Sequence, residues 1–312
     1  MPRPLLAQIG NPSEDASRRT SHSSHPSHSR SCIPCNHHLL ITTPGAIYAW
    51  DRTGVRKIFK SSKNGILAAK ASKDGSNVLA VADSQVVILH DCRRRREESW
   101  GLSSSDGHVR LLEYAPDAES LFLTTTITGA VQCYSVRKDR MSRPAQDHPS
   151  PPTVLAVNVT TQLMISASEH PPTVYIQNLR LETPAHRLSI RASQTAVVVA
   201  SFHPELPNIF LLGFKDGTLA FYDAAKLARR NGNRMDVNAS LNTDAKKSEI
   251  MVFKRLHRTT NRGSQSVGEQ SVGVVAASFI PGYLSRAISL GVEGSPKILD
   301  LEWARGDPPR EI

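Results

Sequence analysis

Short apolar strands alternate with polar turns along this chain of 312 residues, and the pattern repeats at a nearly constant interval. Each copy ends in an apolar strand whose last residue is polar. Six such strand ends can be read, at 46–51 (AIYAWD), 85–91 (QVVILHD), 130–135 (AVQCYS), 173–178 (TVYIQN), 218–223 (TLAFYD) and 296–300 (PKILD). Successive last residues lie 40, 44, 43, 45 and 77 positions apart. A repeat of about 40–45 residues made of short strands is typical of a β-propeller blade, so the pattern predicts an all-β propeller with six recognisable repeats.

Each copy follows one plan of four strands. In the fifth copy, 196–202 forms the first strand, 208–214 the second and 218–222 the third. Asp216-Gly217 supplies the positive φ that a tight hairpin between the second and third strands requires. A more polar fourth strand is expected at the exposed edge of each blade, where charge opposes pairing with other chains. Its candidates are 55–60, 97–102 and 249–256.

The long step of 77 residues is explained by two polar insertions, a basic loop at about 227–247 and a second loop at 259–273. Both are rich in Asn, Ser, Gly and basic residues, and the segment 1–36 is rich in Ser, His and Arg. Segments with so little apolar surface do not offset the entropy of ordering, so we expect disorder in 1–30 and about 229–246. The predicted organisation is a disordered tail (1–36), a propeller (37–302) and a C-terminal tail (303–312).

The ends of the repeat series leave the number of blades open. The first copy has no convincing first strand, because 31–37 is rich in Cys, Pro and Asn. Asp307-Pro308-Pro309 offers no strand that would close a ring. Two arrangements therefore compete, a six-bladed ring and an incomplete seven-bladed ring, of which we favour the second.

The strand ends and turns resemble those of the WD-repeat family of β-propellers, in particular a divergent branch of it found in fungal genomes. The residues that carry the repeat are Trp50, Asp51, Asp91, His108, Asp216, Gly217, Tyr222, Asp223 and Asp300. Among them are the pairs Trp50-Asp51 and Tyr222-Asp223 and the opening pair Gly107-His108. The resemblance covers about 38–301 and implies a propeller that binds other proteins.

One feature of that family is incomplete in this chain. The family's usual polar network links a His, a Ser or Thr, an Asp and a Trp within one blade, and no copy here has all four. The third copy has His108, but Thr128 replaces the turn aspartate and Cys133 lies near the Trp position.

Charge is concentrated outside the repeats. The chain has a net charge of +10, and 226–262 holds ten Lys or Arg residues against three acidic ones. A basic cluster of this kind is a candidate nucleic-acid or localisation patch. Its members are Lys246, Lys247, Lys254, Arg255 and Arg258.

The sequence contains no recognisable catalytic chemistry, so we predict that the protein is not an enzyme and uses no cofactor. A Gly-x-Ser-x-Gly elbow, a phosphate-binding Gly-rich loop and a His-Glu-x-x-His helix are all absent. Cys32, Cys35, His37 and His38 invite a zinc interpretation, but all four lie within seven residues, whereas zinc usually joins two separated ligand pairs. We therefore predict no metal site.

Composition and segment length place the chain inside the cell. Four cysteines do not make a disulfide framework, no apolar run approaches the ~20 residues that span a bilayer, and 5–9 is too short for a secretory signal. The sequence therefore predicts an intracellular scaffold that binds other proteins through its propeller faces and does not associate with a membrane. The alternatives are an RNA-associated subunit of a ribonucleoprotein assembly that uses 226–262, and a propeller enzyme with a ligand in its central channel.

The expected exposure of two tryptophans depends on where the propeller begins and ends. Trp50 follows Ile47 and Ala49 in an alternating strand, so we expect its ring to pack between the first blade and its neighbour. Trp303 lies beyond the last confident strand, among charged residues, and is expected to be more exposed.

Overall fold

The computed structural model describes most of the repeat region and part of the insertions. The described residues are 32–34, 39–61, 65–72, 77–141, 145–158, 160–179, 184–227, 230–231, 234–235, 242–244, 248–260, 269–301 and 310–311. The expected disorder of 1–30 and of most of 229–246 concerns residues outside these ranges, as does the expected exposure of Trp303.

Strands account for nearly all the regular structure in the described residues, and the helical elements that are described over their full length are two short 3₁₀ turns, Ser104–Asp106 and Ala224–Lys226. The strands are β1 (Cys32–Pro34), β2 (Leu39–Thr42), β3 (Ala46–Asp51), β4 (Gly54–Lys60), β5 (Ala68–Ala71), β6 (Val78–Asp83), β7 (Val86–Asp91), β8 (Arg96–Gly101), β9 (Val109–Tyr114), β10 (Ser120–Thr125), β11 (Ala130–Ser135), β12 (Arg140–Met141), β13 (Gln146–Asp147), β14 (Pro152–Val157), β15 (Leu163–Glu169), β16 (Pro172–Asn178), β17 (His186–Ser189), β18 (Val197–Phe202), β19 (Ile209–Phe214), β20 (Leu219–Asp223), β21 (Arg230–Asn231), β22 (Arg234–Met235), β23 (Asn242–Asp244), β24 (Glu249–Phe253), β25 (Arg258–Thr260), β26 (Glu269–Ser271), β27 (Val274–Phe279), β28 (Arg286–Gly291), β29 (Pro296–Asp300) and β30 (Arg310–Glu311).

Six antiparallel sheets form the blades of a β-propeller, as the repeat predicts. In chain order, blade 1 is β1-β2-β3-β4, blade 2 is β5-β6-β7-β8, blade 3 is β9-β10-β11-β12, blade 4 is β14-β15-β16-β17, blade 5 is β18-β19-β20-β24 and blade 6 is β27-β28-β29-β30. Two strands are added at sheet margins, β13 on β11 and β23, in parallel, on β17. The hairpins β21-β22 and β25-β26 stand apart from the blades.

The hydrophobic core lies between successive blades. The first strands of blades 2 to 6 contact one another in chain order, so they line the axis of the propeller. Each clustered layer of buried side chains draws on two neighbouring blades. Blades 4 and 5, for example, share a layer that contains Ile165, Ile176, Phe210 and Tyr222. An interior blade therefore needs apolar side chains on both faces, which explains the continuous apolar run 209–212 in β19.

The fourth strands agree with the sequence. The candidates at 55–60, 97–102 and 249–256 correspond to β4, β8 and β24, each the last strand of its sheet. In β4 and β8 most residues are exposed, whereas the inner strands are largely buried. Polar side chains at these positions therefore lie on the outer edge of the blade.

Two short strands correct the sequence-based expectation at the ends. Cys32–Pro34 pairs with β2 although this segment offered no convincing strand, and Arg310–Glu311 pairs with β29 after the proline-rich segment. Both segments have low strand propensity, but an adjacent strand with unpaired backbone groups provides hydrogen bonds that local propensity does not take into account.

Candidate functional site

The strand-end aspartates have a local structural role in the turns that follow the third strands. The Oδ1 atom of Asp51 accepts a hydrogen bond from the backbone N–H of Thr53 at 2.7 Å. Asp91 Oδ1 accepts in the same way from the backbone N–H of Arg94 at 2.9 Å. Hydrogen bonds from Thr53 lower the pKa of Asp51, and the Arg94 amide lowers that of Asp91. Asp223 repeats the arrangement after β20, which accounts for the recurrence of aspartate at this position.

His108 joins two neighbouring blades. Its Nδ1 atom lies 2.9 Å from the hydroxyl of Ser84, which is in the hairpin between β6 and β7 of blade 2. Its backbone N–H donates to the Thr126 hydroxyl of blade 3 at 3.0 Å. The side chain is half-buried, and these contacts hold the loop that leads from blade 2 into blade 3.

Asp216 and Gly217 form the turn between β19 and β20. The Ser193 hydroxyl donates to Asp216 Oδ2 at 2.9 Å, and the backbone N–H of Thr218 donates to Oδ1 at 3.0 Å. Gly217 has φ +78°, and a Cβ at this position would lie 2.4 Å from the carbonyl oxygen of Val272. Glycine is therefore required at this position both by the left-handed backbone conformation and by the close approach of the Val272 backbone.

Two buried histidines form networks that the sequence analysis missed. His148 precedes β14, and its Nε2 and Nδ1 atoms lie 2.6 Å and 3.2 Å from the hydroxyls of Ser166 and Ser168 in β15. The Ser166 hydroxyl also hydrogen-bonds the Gln146 side-chain oxygen, so His148, Ser166 and Gln146 form one buried polar network. Burial lowers the pKa of His148 to about 4, and its ring packs edge-on against Tyr175 with the centroids 4.6 Å apart.

His257 forms a similar buried hydrogen-bond network in blade 6. Its Nε2 atom lies 2.8 Å from the Ser289 hydroxyl in β28, and Nδ1 hydrogen-bonds the Glu293 carboxylate in the turn before β29. The sequence signal was obscured because the hairpin β25-β26 separates His257 from the first strand of its blade. The blade 4 network has no turn aspartate, because His170 and Pro171 connect β15 and β16.

Trp50 is placed differently from the sequence-based expectation. Its side chain is 52% exposed, rather than packed between blade 1 and a neighbour. Ile47 and Ala49, which alternate with it along β3, form the buried layer with blade 2. Since alternate residues of a strand point to opposite faces, Trp50 belongs to the face of blade 1 that is turned away from blade 2.

The basic patch is only partly described. Lys254, Arg255 and Arg258 are exposed in the segment that follows β24, while Lys246 and Lys247 lie outside the described residues. The Arg258 Nε–H donates to the Arg255 carbonyl oxygen at 3.0 Å, which ties that guanidinium to the local turn. Phe253, an aromatic residue of this segment that could stack on a nucleobase, packs against the core layer shared by blades 5 and 6.

A groove of about 620 Å³ lies between blades 4 and 5. Its walls include Val174, Leu188 and Phe214, and the exposed Arg187 and Arg191 are among the residues that line it. Apolar walls with two guanidinium groups suit an extended peptide that carries acidic side chains.

No three His, Cys, Asp or Glu side chains come together as a metal-ion site within the described ranges. Over the same part of the chain, no helix has the length and apolar character needed to cross a membrane.

Comparison with known proteins agrees with this architecture. The chain is similar to one chain in the crystal structure of a mitotic checkpoint complex, with 15% sequence identity and a TM-score of 0.66. The alignment covers 99% of this chain and 87% of that chain. At this identity the likeness shows the fold alone. No protein-family model matches the sequence, and no curated protein matches it. Six four-stranded blades and this structural likeness together define the chain as a β-propeller.

Proposed function

We propose that this propeller is a non-enzymatic, intracellular scaffold that binds other proteins. The proposed scaffold comprises the region 37–302 together with the two edge strands that pair with it, Cys32–Pro34 and Arg310–Glu311. Rigid blades hold variable turns at their two ends, and such surfaces suit partner loops and extended peptides.

The distribution of exposed apolar side chains carries this proposal. Among the described residues, eleven large apolar side chains are exposed, and eight of them belong to blades 1 and 6 or their turns. These eight are Trp50, Val55, Val275, Tyr283, Leu284, Ile288, Val292 and Ile298. A concentration of exposed apolar side chains in one region commonly marks an interaction site, so the proposal places binding at the two end blades.

The polar groups of the repeats support binding rather than catalysis. His148 and His257 are both buried and engage serine hydroxyls of their own blades, so neither presents a nitrogen atom to a ligand. The strand-end aspartates are engaged by backbone amides of their own turns. These contacts stabilise blades and turns, as expected in a protein whose blades serve as a rigid binding surface.

The test is affinity capture with the full-length chain, with and without nuclease. We expect the bound proteins to persist after nuclease and to decrease when Tyr283 and Leu284 are both replaced by Glu. Ile127→Glu, on a similarly exposed side chain of blade 3, is the matched control. Loss of all bound proteins on nuclease treatment would contradict the proposal and favour the RNA-associated alternative, whose binding should fall steeply with salt.

A further inference from the structure

The exposed fraction of the residue just before each strand end shows whether another blade packs on the side of the preceding blade. This residue lies on the face that packs against the preceding blade, as the shared layers of Tyr134 with blade 2, Tyr222 with blade 4 and Leu299 with blade 5 show. In blades 2 to 6 its exposed fraction is between 0% and 8%, whereas Trp50 in blade 1 is 52% exposed. The five buried equivalents are His90, Tyr134, Gln177, Tyr222 and Leu299.

The exposed fraction of the residue one position earlier shows whether another blade packs on the side of the following blade. Ala49, Leu89, Ile176 and Phe221 occupy this position in blades 1, 2, 4 and 5, and their exposed fractions lie between 0% and 7%. In blade 3, Cys133 is partly buried against the layer shared with blade 4. Ile298 in blade 6 is 40% exposed. The series of interblade layers is thus open at both ends.

Each open face continues across neighbouring strands. In blade 1, Leu39, Trp50 and Val55 lie directly opposite one another. In blade 6, Ser278, Ile288 and Ile298 form the corresponding row. Because the blades follow one another in order around an axis, the face before blade 1 and the face after blade 6 border the same interval.

Within the described residues, no sheet fills this interval. Everywhere else in the propeller, the same two repeat positions are covered by a neighbouring β-sheet. We propose that the interval receives a β-sheet element of a partner protein that is apolar on both faces and inserts as a blade in trans. This inference rests on the proposed scaffold function and specifies its site and its partner.

Two other occupants fit less well. In the N-terminal segment 1–31, the aliphatic side chains other than proline are those of Met1, Leu5, Leu6, Ala7, Ile9 and Ala16. The run 5–9 is too short to form a sheet that covers two apolar faces. A second copy could offer only the open face of an end blade, because the other face of that blade is already covered. One inserted end blade of a second copy would therefore cover only one of the two open faces.

Charge on the open faces adds a second property of the partner. The register places Lys57 on the face of Trp50, with its Nζ atom 6.0 Å from the ring of Tyr48. Arg286 lies on the face of Ile288, 4.8 Å from the ring of Tyr283, and is paired in register with Asp300. Two cations and one carboxylate favour a partner sheet with acidic residues at its margins.

The test replaces residue 50, and separately residue 298, of the full-length chain by p-benzoylphenylalanine, which forms cross-links on irradiation. The probe is placed at residue 127 as the control. We expect positions 50 and 298 to cross-link to the same partner polypeptide, at residues that alternate along its strands, and position 127 not to do so. Trp50→Glu and Ile298→Glu should each lower recovery of that partner about tenfold, while Ile127→Glu leaves it unchanged.

Four outcomes overturn the proposal. Cross-links from 50 and 298 to a second copy of this chain would identify a self-association surface, and cross-links to residues 1–31 would identify an intramolecular cover. Partners that are captured equally well by Trp50→Glu and Ile298→Glu would contradict the in-trans blade while leaving the scaffold function intact. Absence of any protein partner in every variant would contradict both.

Discussion

Tyr222 in blade 5 and Trp50 in blade 1 occupy the same repeat position, one residue before a strand-end aspartate, yet their environments are opposite. Tyr222 is 0% exposed and stacks on Phe210, whereas Trp50 is 52% exposed. Both lie at the end of an apolar third strand. Among the described residues, blade 5 has a neighbouring sheet on each side, whereas blade 1 has one on a single side, and the difference in exposure follows from this. In a propeller, burial at an interblade position is therefore set by the neighbouring blade.

The largest expected effect of this difference is on stability. Tyr222→Ala should lower the free energy of unfolding by roughly 3–5 kcal/mol, because a large side chain is removed from a close-packed layer. Trp50→Ala should cost less than about 1 kcal/mol, because half of that side chain is already exposed. Denaturant titration of both variants measures the contrast, and equal losses would show that blade 1 has a covering neighbour.

Tyr222→Phe is the matched control for this experiment. The Tyr222 hydroxyl has no hydrogen-bond partner among the described residues. Removing a buried hydroxyl of this kind should leave stability unchanged or slightly increased. A loss as large as that of Tyr222→Ala would show that the hydroxyl, rather than the packed ring, stabilises the layer.

The next effect concerns the pH dependence of an interior blade. Burial lowers the pKa of His148 to about 4 in the folded state, compared with about 6.5 for an unfolded histidine. Above pH ~6.5 both states are neutral at this group and its contribution to stability is fully present. As the pH falls from about 6.5 to about 4, the unfolded state binds the proton first, and stability falls by up to roughly 3 kcal/mol.

His148→Gln should make this decline shallower, which a series of unfolding titrations between these pH values would measure. His203, whose pKa is also lowered by burial, retains a decline of the same sign in the variant. An NMR titration of His148 that gave a midpoint near 6.5 would contradict the assignment.

A smaller effect separates two glycines at equivalent turns. Gly217 and Gly294 follow the second strands of blades 5 and 6, with φ of +78° and +79°. A Cβ on Gly217 would meet the carbonyl oxygen of Val272 at 2.4 Å, whereas nothing lies within 4 Å of a Cβ on Gly294. Gly294→Ala should cost about 1 kcal/mol from backbone strain alone, and Gly217→Ala about 2–3 kcal/mol. Equal shifts in melting temperature would indicate that the end blade is covered.

Sequence reasoning succeeded where the signal is local and failed where a residue depends on a distant segment. The Asp216-Gly217 turn was recognisable because adjacent residues determine it. The His148 and His257 networks were not, since their partners lie 18 to 36 positions away in the chain. A histidine shortly before a first strand, followed by serines in the second strand, is the signal that would have identified blade 4.

The sequence by itself determined the repeat, the order of strands within each blade and the polar outer edges, because alternation and turn residues act over a few neighbouring positions. Only the tertiary structure decided which apolar faces are covered. Trp50, Tyr222 and Ile298 all carry apolar side chains suited to an interblade layer, and no feature of their own strands distinguishes them. Coverage depends on whether another sheet is present across that face, and this depends on where the series of blades begins and ends.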